Sequence, residues 1–197
     1  VLRTYATNGS PIIVLDRFLT DTNIYSSVID NEGLVEHFMD DILKKGYAKC
    51  AYLSGPEDSF NNNHRYIGFK RALEKAGRTD HLYYHGDFTV QSGYAVGKTV
   101  ANTKNRPDFV YCANDESAIG FARALKEEGL RIPEDIAIAG FDNIQMGDFI
   151  HPKLTTIGID HILWGMHVAD VIVSIIDNGT SETVNPPEGR VYWRESC

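Results

Sequence analysis

The segment FVYCANDESAIGFARALKEEGLRIPEDIAIAGFDN, residues 109–143, decides the fold. Its first four residues form an unbroken apolar run, short enough for a strand buried on both faces. From 116 to 128, Ile119, Ala122, Ala124 and Leu125 recur at helical spacing, and Gly129 follows as a left-handed stop. Pro133 then leads into a second apolar run, 136–139. Strand, helix and strand within about thirty residues make the unit from which parallel sheets are built.

The same alternation runs outward in both directions. Upstream lie strand-like runs at 11–15, 49–53 and 82–84, each followed by a helical pattern, at 31–45, 63–76 and 90–102. Downstream come a short extended piece at 154–157, a helix over about 160–177 and an alternating segment at 190–194. Gly46 and Gly77, like Gly129, each close a helical stretch. The fold class expected is α/β, a Rossmann-like parallel sheet flanked by helices.

Composition narrows the possible partners. Lys and Arg total 19 against 27 for Asp and Glu, a net charge of −8, so phosphate backbones and anionic lipid would be repelled by this segment. The longest apolar stretch, 168–176, is broken by Asp170 and Ser174 and falls short of the roughly 18 apolar residues a membrane helix needs. Residues 1–6 carry neither an initiator Met nor a secretion pattern, so the start reads as a cut. Cys50, Cys112 and Cys197 are odd in number, with no CxxC spacing, which favours a reducing, cytoplasmic setting. The sequons at Asn8 and Asn178 are read as chance occurrences.

In an open parallel sheet, ligands meet the carboxyl ends of the strands. The residues there include Asp16, Arg65 beyond the 54–59 loop, Phe88, Asn114 with Asp115, and Asp142. Carboxylate, guanidinium and amide groups can each grip adjacent hydroxyls of a polyol, and Phe88 could cover the apolar face of a ring. The competing reading makes these Asp and Asn residues helix N-caps, Asp115 above all. It does not account for Arg65 inside a helical start.

Enzymatic constellations are absent from the sequence: there is no GxSxG, P-loop, GxGxxG or HExxH. His81 and His85 could share a face, but no third ligand lies nearby, so they read as surface residues, as do His64 and His151. No catalytic residue, metal or cofactor is expected. Trp164, Met166, Val168, Ala169, Ile172 and Val173 read as the apolar face of a helix packed in a core or an interface.

The motifs PIIVLDR, VIDNEG, YLSGPEDS followed by RYIGFKRALEKAG, GDFTVQSGY, the 109–143 segment, HPKLTTI and WRESC together resemble the LacI/GalR family of bacterial transcription regulators over nearly the whole chain. The resemblance implies a periplasmic-binding-protein-like sensor of two subdomains, a separate operator-binding head outside this sequence, and a homodimer. It implies that 1–28 end the N-terminal subdomain, 29–156 form the C-terminal one, 157–187 cross back and 188–197 return. A small-molecule effector, a sugar, polyol or nucleoside, would bind between the subdomains and control operator binding allosterically. Family contacts map onto Asp16, Arg65, Phe88, Asn114 and Asp142, with Asn61 and Asn63 at positions that vary with effector. Two departures stand out: Ile159 where relatives often carry Gln, and His161 at an aromatic position. The implied dimer surface contains Ile119, Phe121, Ala122, Phe149 and Ile150. The alternative is a periplasmic-type sugar receptor of a transport system; an α/β enzyme would need a nucleophile and base that the sequence does not offer.

Overall fold

A computed structural model describes residues 1–19, 21–179 and 184–197. The first elements in chain order are α1 (Leu2–Thr7), β1 (Ile12–Leu15), β2 (Ile24–Ser27), α2 (Asn31–Lys44), β3 (Cys50–Leu53), α3 (Phe60–Lys75), β4 (Leu82–Tyr84) and α4 (Val90–Ala101). They are followed by β5 (Phe109–Cys112), α5 (Asp115–Glu127), β6 (Ala137–Phe141), a 3₁₀ turn (Gln145–Asp148), β7 (Thr155–Gly158), α6 (His161–Asn178) and β8 (Arg190–Tyr192). The chain divides into two compact units, 1–30 with 159–189 and 31–158 with 190–197.

The larger unit carries a six-stranded sheet in the order β4-β3-β5-β6-β7-β8, parallel throughout except for the antiparallel edge strand β8. Strands β3, β5, β6 and β7 are buried along their whole length, β3, β5 and β6 as the apolar runs of a sheet flanked by helices on both faces and β7 with Thr155 and Thr156 buried in it. The pleat divides their side chains between two cores. Tyr52, Phe109 and Tyr111 face α2 and α3: the Phe38 and Tyr111 rings lie 6.0 Å apart, and those of Tyr52 and Phe69 lie 5.3 Å apart. Ala51, Leu53, Val110, Cys112 and Ile138 pack instead with Val100 of α4 and with Phe121 and Leu125 of α5.

From β3 the chain moves outward to β4, then returns across β3 to β5. That reversal creates a switch point at the carboxyl ends of β3 and β5, where the backbone leaves a crevice.

Local signals explain the helix ends. Gly129 sits at φ +77° with Leu130 N–H donating to Leu125 O at 3.0 Å, a left-handed cap that turns the chain toward β6. Helix α3 begins three residues before the expected 63, because Ser59 Oγ accepts from Asn62 N–H at 3.3 Å and caps it. Asn61, Asn63 and Arg65 therefore lie in its first two turns. α1, β2 and the 3₁₀ turn were not expected, being too short to express a period.

In the smaller unit β1 and β2 pair in parallel from Ile12 opposite Ile24 to Leu15 opposite Ser27. Trp164 of α6 is buried and donates its indole N–H to Ser27 Oγ at 2.8 Å. The rest of the expected stripe is divided: Val168 and Ile172 are half-buried, whereas Ala169 is exposed and Met166 and Val173 are more than half exposed. The Asn178 sequon runs into residues outside those described. Among the described residues no helix is long and apolar enough to cross a membrane.

Candidate functional site

Arg65 is the centre of the strand-end cluster. It is 3% exposed, in the second turn of α3. A buried guanidinium is tolerated only when its donors are taken up. Here Nε donates to Asn31 Oδ1 (2.8 Å), Nη1 to Ala113 O (2.6 Å) and Nη2 to Asp142 Oδ1 (3.3 Å), while the guanidinium carbon lies 3.6 Å from the centre of the Phe141 ring. The fork therefore ties the start of α2 and the ends of β5 and β6 at the switch point.

Asp142 is the partly open member, its side chain 35% exposed. Its backbone is at φ 110°, and Asn143 follows at 50°. Among the described residues, positive φ outside glycine occurs at Asp16, Asn23, Phe88, Asp142 and Asn143, so three of the residues selected from sequence adopt it. Such conformations persist only where surroundings over-determine them, and they gather at functional sites. Phe88, at φ 70°, lays its ring where a Cβ on Gly55 would stand, so only glycine at 55 leaves that seat free.

Asn114 both caps and connects. Its Oδ1 accepts from Ser117 N–H (3.1 Å) and Ser117 Oγ (2.6 Å), and its Nδ2 donates to Phe88 O (2.9 Å). The cap reading thus holds for Asn114 and fails for Asp115, which begins the helix and reaches away from it. Asn61 joins the cluster through Asn31, at 3.4 Å. Asn63 does not: it is exposed, and its amide donates to Glu57 O at 3.0 Å. Asp16 and His161 lie on the smaller unit, Asp16 at the end of β1 with φ 56° and His161 at the start of α6, exposed.

The electrostatics centre on Asp115. Burial pushes its carboxyl up to about 7, against hydrogen bonds from Thr156 and from the Ile144 amide that favour its charged form. Tyr111, wholly buried, has a hydroxyl without a hydrogen-bond partner among the described residues, and burial raises it well above its ordinary value. Sequence reasoning missed Asn31, Thr156 and Arg194, and read Asp115 foremost as a helix cap. Each acts through a tertiary contact across at least 29 residues, so no local pattern marks it.

The expected dimer surface is partly corrected. Phe121 is fully buried with Ala118 and Leu125, because helical spacing turns it toward the sheet. Ala122 is also buried, at 4% exposed, and only touches the floor of an apolar groove that Ile119 and Ile150 line with Arg123, Lys126 and His151, while Phe149 is 74% exposed. His81 is held by the Tyr66 hydroxyl at 2.7 Å and His85 lies 3.5 Å from Glu57. No cluster able to hold a metal is found among the described residues.

Residues 39–197 match the periplasmic binding protein-like domain, and the chain belongs to that family. Within it, the chain is similar to LacI-type regulators. It is 36% identical to the HTH-type transcriptional repressor PurR of Vibrio atlanticus over 118 residues, 59% of this chain and 35% of the relative. It is 30% identical to the repressor CytR of Escherichia coli over 152 residues, 76% and 45% respectively. A LacI family regulator from Enterococcus faecium, solved with bound ribose, superposes with TM-score 0.90 at 28% identity, over 99% of this chain and 73% of that one. The chain spans less than half the length of these curated relatives.

Proposed function

We propose that this chain is the effector-sensing part of a LacI-type transcription regulator, binding a small polyhydroxylated ligand, a sugar or nucleoside, at the strand ends around Arg65 and Asp142. The observation that carries this reading is the pinned Arg65 guanidinium beside a partly open Asp142 carboxylate at the switch point. Asp142 offers oxygen acceptors to vicinal hydroxyls, the Phe88 ring offers an apolar face, and Asn61 and Asn114 border them. Asp16 and Asn63 are kept as strand-end residues that also match family positions, and His161 is added on the family resemblance alone. On the same ground 1–28 and 157–187 belong to the N-terminal subdomain, and 29–156 with 188–197 to the C-terminal one.

The relatives named above are repressors, and one related structure holds ribose, which favours a regulator over a transport receptor or an enzyme. The reading needs neither cofactor nor metal. With a net charge of −8, operator DNA is engaged through a separate head and not by this segment. Ligand binding biases one sensor conformation by about 1–3 kcal/mol, an ordinary allosteric coupling, and a homodimer joined at the groove of Ile119, Ala122 and Ile150, with Phe149 beside it, transmits the bias in the cytoplasm. Titration calorimetry of the intact regulator against ribose, hexoses and nucleosides tests the site. One of these should bind, and Asp142→Asn should weaken that binding at least tenfold. Binding of that ligand unaltered in Asp142→Asn would remove the site from consideration.

A further inference from the structure

The turn at Asp142 and Asn143 opens a loop that runs to β7. Two consecutive non-glycine residues at positive φ do not hold themselves there. Two ionisable side chains, neither part of the proposed ligand surface, converge on this loop.

The first is Arg194, just beyond β8. Its side chain is 13% exposed, and every donor nitrogen is committed: Nη2 to Asn143 Oδ1 (2.8 Å), Nε to Asp148 Oδ1 (2.7 Å), and Nη1 to Leu154 O (2.7 Å). One guanidinium thus staples the beginning, middle and end of the loop. The second is Asp115 at the start of α5, wholly buried and so unable to touch a ligand. Its Oδ2 accepts from the Ile144 amide at 2.9 Å and its Oδ1 from Thr156 Oγ1 at 2.6 Å. The Thr156 hydroxyl in turn accepts from the Asn143 amide at 3.3 Å. A Cβ on Gly140 would collide with the Asp115 carboxylate, so the glycine of β6 leaves the slot into which that carboxylate fits. Both amides that follow Asp142 are therefore captured by one buried carboxylate and the hydroxyl it orients.

We propose that Asp115 and Arg194 are positioning residues for the site: together they hold the turn in the conformation that aims the Asp142 carboxylate at Arg65 and the ligand. The role in ligand binding rests on the site proposed above; the hold on the turn does not. Thr156 is the intermediary, and its hydroxyl, not its bulk, does the holding.

Amide hydrogen exchange by NMR on the 197-residue chain, with D-ribose titrated into the intact regulator by calorimetry, separates the two claims. Asp115→Ala, Arg194→Lys and Thr156→Val should each speed exchange at Asn143 and Ile144 at least tenfold, with Ala51 in β3 unchanged, and should weaken ribose binding by a comparable factor. Thr156→Ser should retain slow exchange. Exchange at Asn143 and Ile144 that is unchanged in Asp115→Ala and Arg194→Lys, or that rises equally at Ala51, overturns the inference whether or not ribose binds. Exchange that responds as expected while ribose affinity is indifferent to Asp142→Asn leaves the positioning intact and removes the ligand site instead.

Discussion

The two compact units cover their apolar residues very differently. In the larger one, Phe38, Tyr52, Phe69, Phe109, Phe121 and Leu125 are fully buried between sheet and helices. In the smaller one, α6 buries Trp164 yet leaves Ile162 80%, Met166 59% and Ile176 65% exposed. A two-stranded sheet has too little surface to cover an 18-residue helix. Polar groups follow the same division. Arg65, Asn114 and Asp142 are cross-bonded to neighbours within the larger unit, and that is where a pre-formed site can be rigid.

The contrast can be broken most directly by truncation. Phe121→Ala should destabilise the chain by about 3–5 kcal/mol in urea denaturation, as a large core cavity does, whereas Ile162→Ala should stay within about 0.5 kcal/mol. Equal effects would mean that α6 is covered as well as α5 is. Arg65→Ala should cost about 3 kcal/mol, because it strands Ala113 O, Asn31 and Asp142 without their donor. Arg65→Met, which restores volume but no donors, should recover only part of that loss in thermal unfolding.

Asp115 sharpens the comparison through pH. The folded chain holds a proton on this carboxyl up to about pH 7 that the unfolded chain releases near 3.8. Its contribution therefore diminishes stability as pH rises from about 4 to about 7, by an amount on the order of 2–4 kcal/mol, and is constant outside that window. Asp142 and Arg194 face it with opposite charges, and their effects on its titration partly cancel. Thermal melts between pH 4 and pH 8 should show this downward slope in the parent chain and a flatter profile in Asp115→Asn; parallel profiles would contradict the buried, proton-holding carboxyl. The smallest effect is expected at Tyr111, whose buried hydroxyl has no partner among the described residues. Tyr111→Phe should be neutral or stabilising by up to about 1 kcal/mol, and a clear loss in the melting temperature would reveal a partner for that hydroxyl.

Much of the larger unit was legible because its elements are long enough to carry a period and end on definite signals. The strand runs beginning at 82 and 109 and the helices closed by Gly46, Gly77 and Gly129 lie where pattern and stop residues put them. The candidate site was legible only in part. Strand ends draw attention to Arg65 and Asp142 without any knowledge of which strands are neighbours. The same reasoning misjudged Asp115 as a cap, because a carboxylate at a helix start is indistinguishable, in sequence, from one that reaches across to the next strands. It likewise put Phe121 on a surface, since a helix with apolar residues around much of its circumference does not declare which of them faces the sheet.

The sequence by itself determined the α/β class, the position of most strands and helices, and the polar residues gathered at the strand ends, because local propensity, period and capping act over a few residues. Only the tertiary structure decided the strand order β4-β3-β5-β6-β7-β8, the switch point beside Arg65, the exposed face of α6, and the clamp that Asp115 and Arg194 place on the turn at Asp142. Those features depend on contacts between residues distant in the chain, from 16 positions apart at Ala139 and Thr155 to 77 at Arg65 and Asp142, which are set by how the sheet closes over its two cores and not by anything adjacent in the chain.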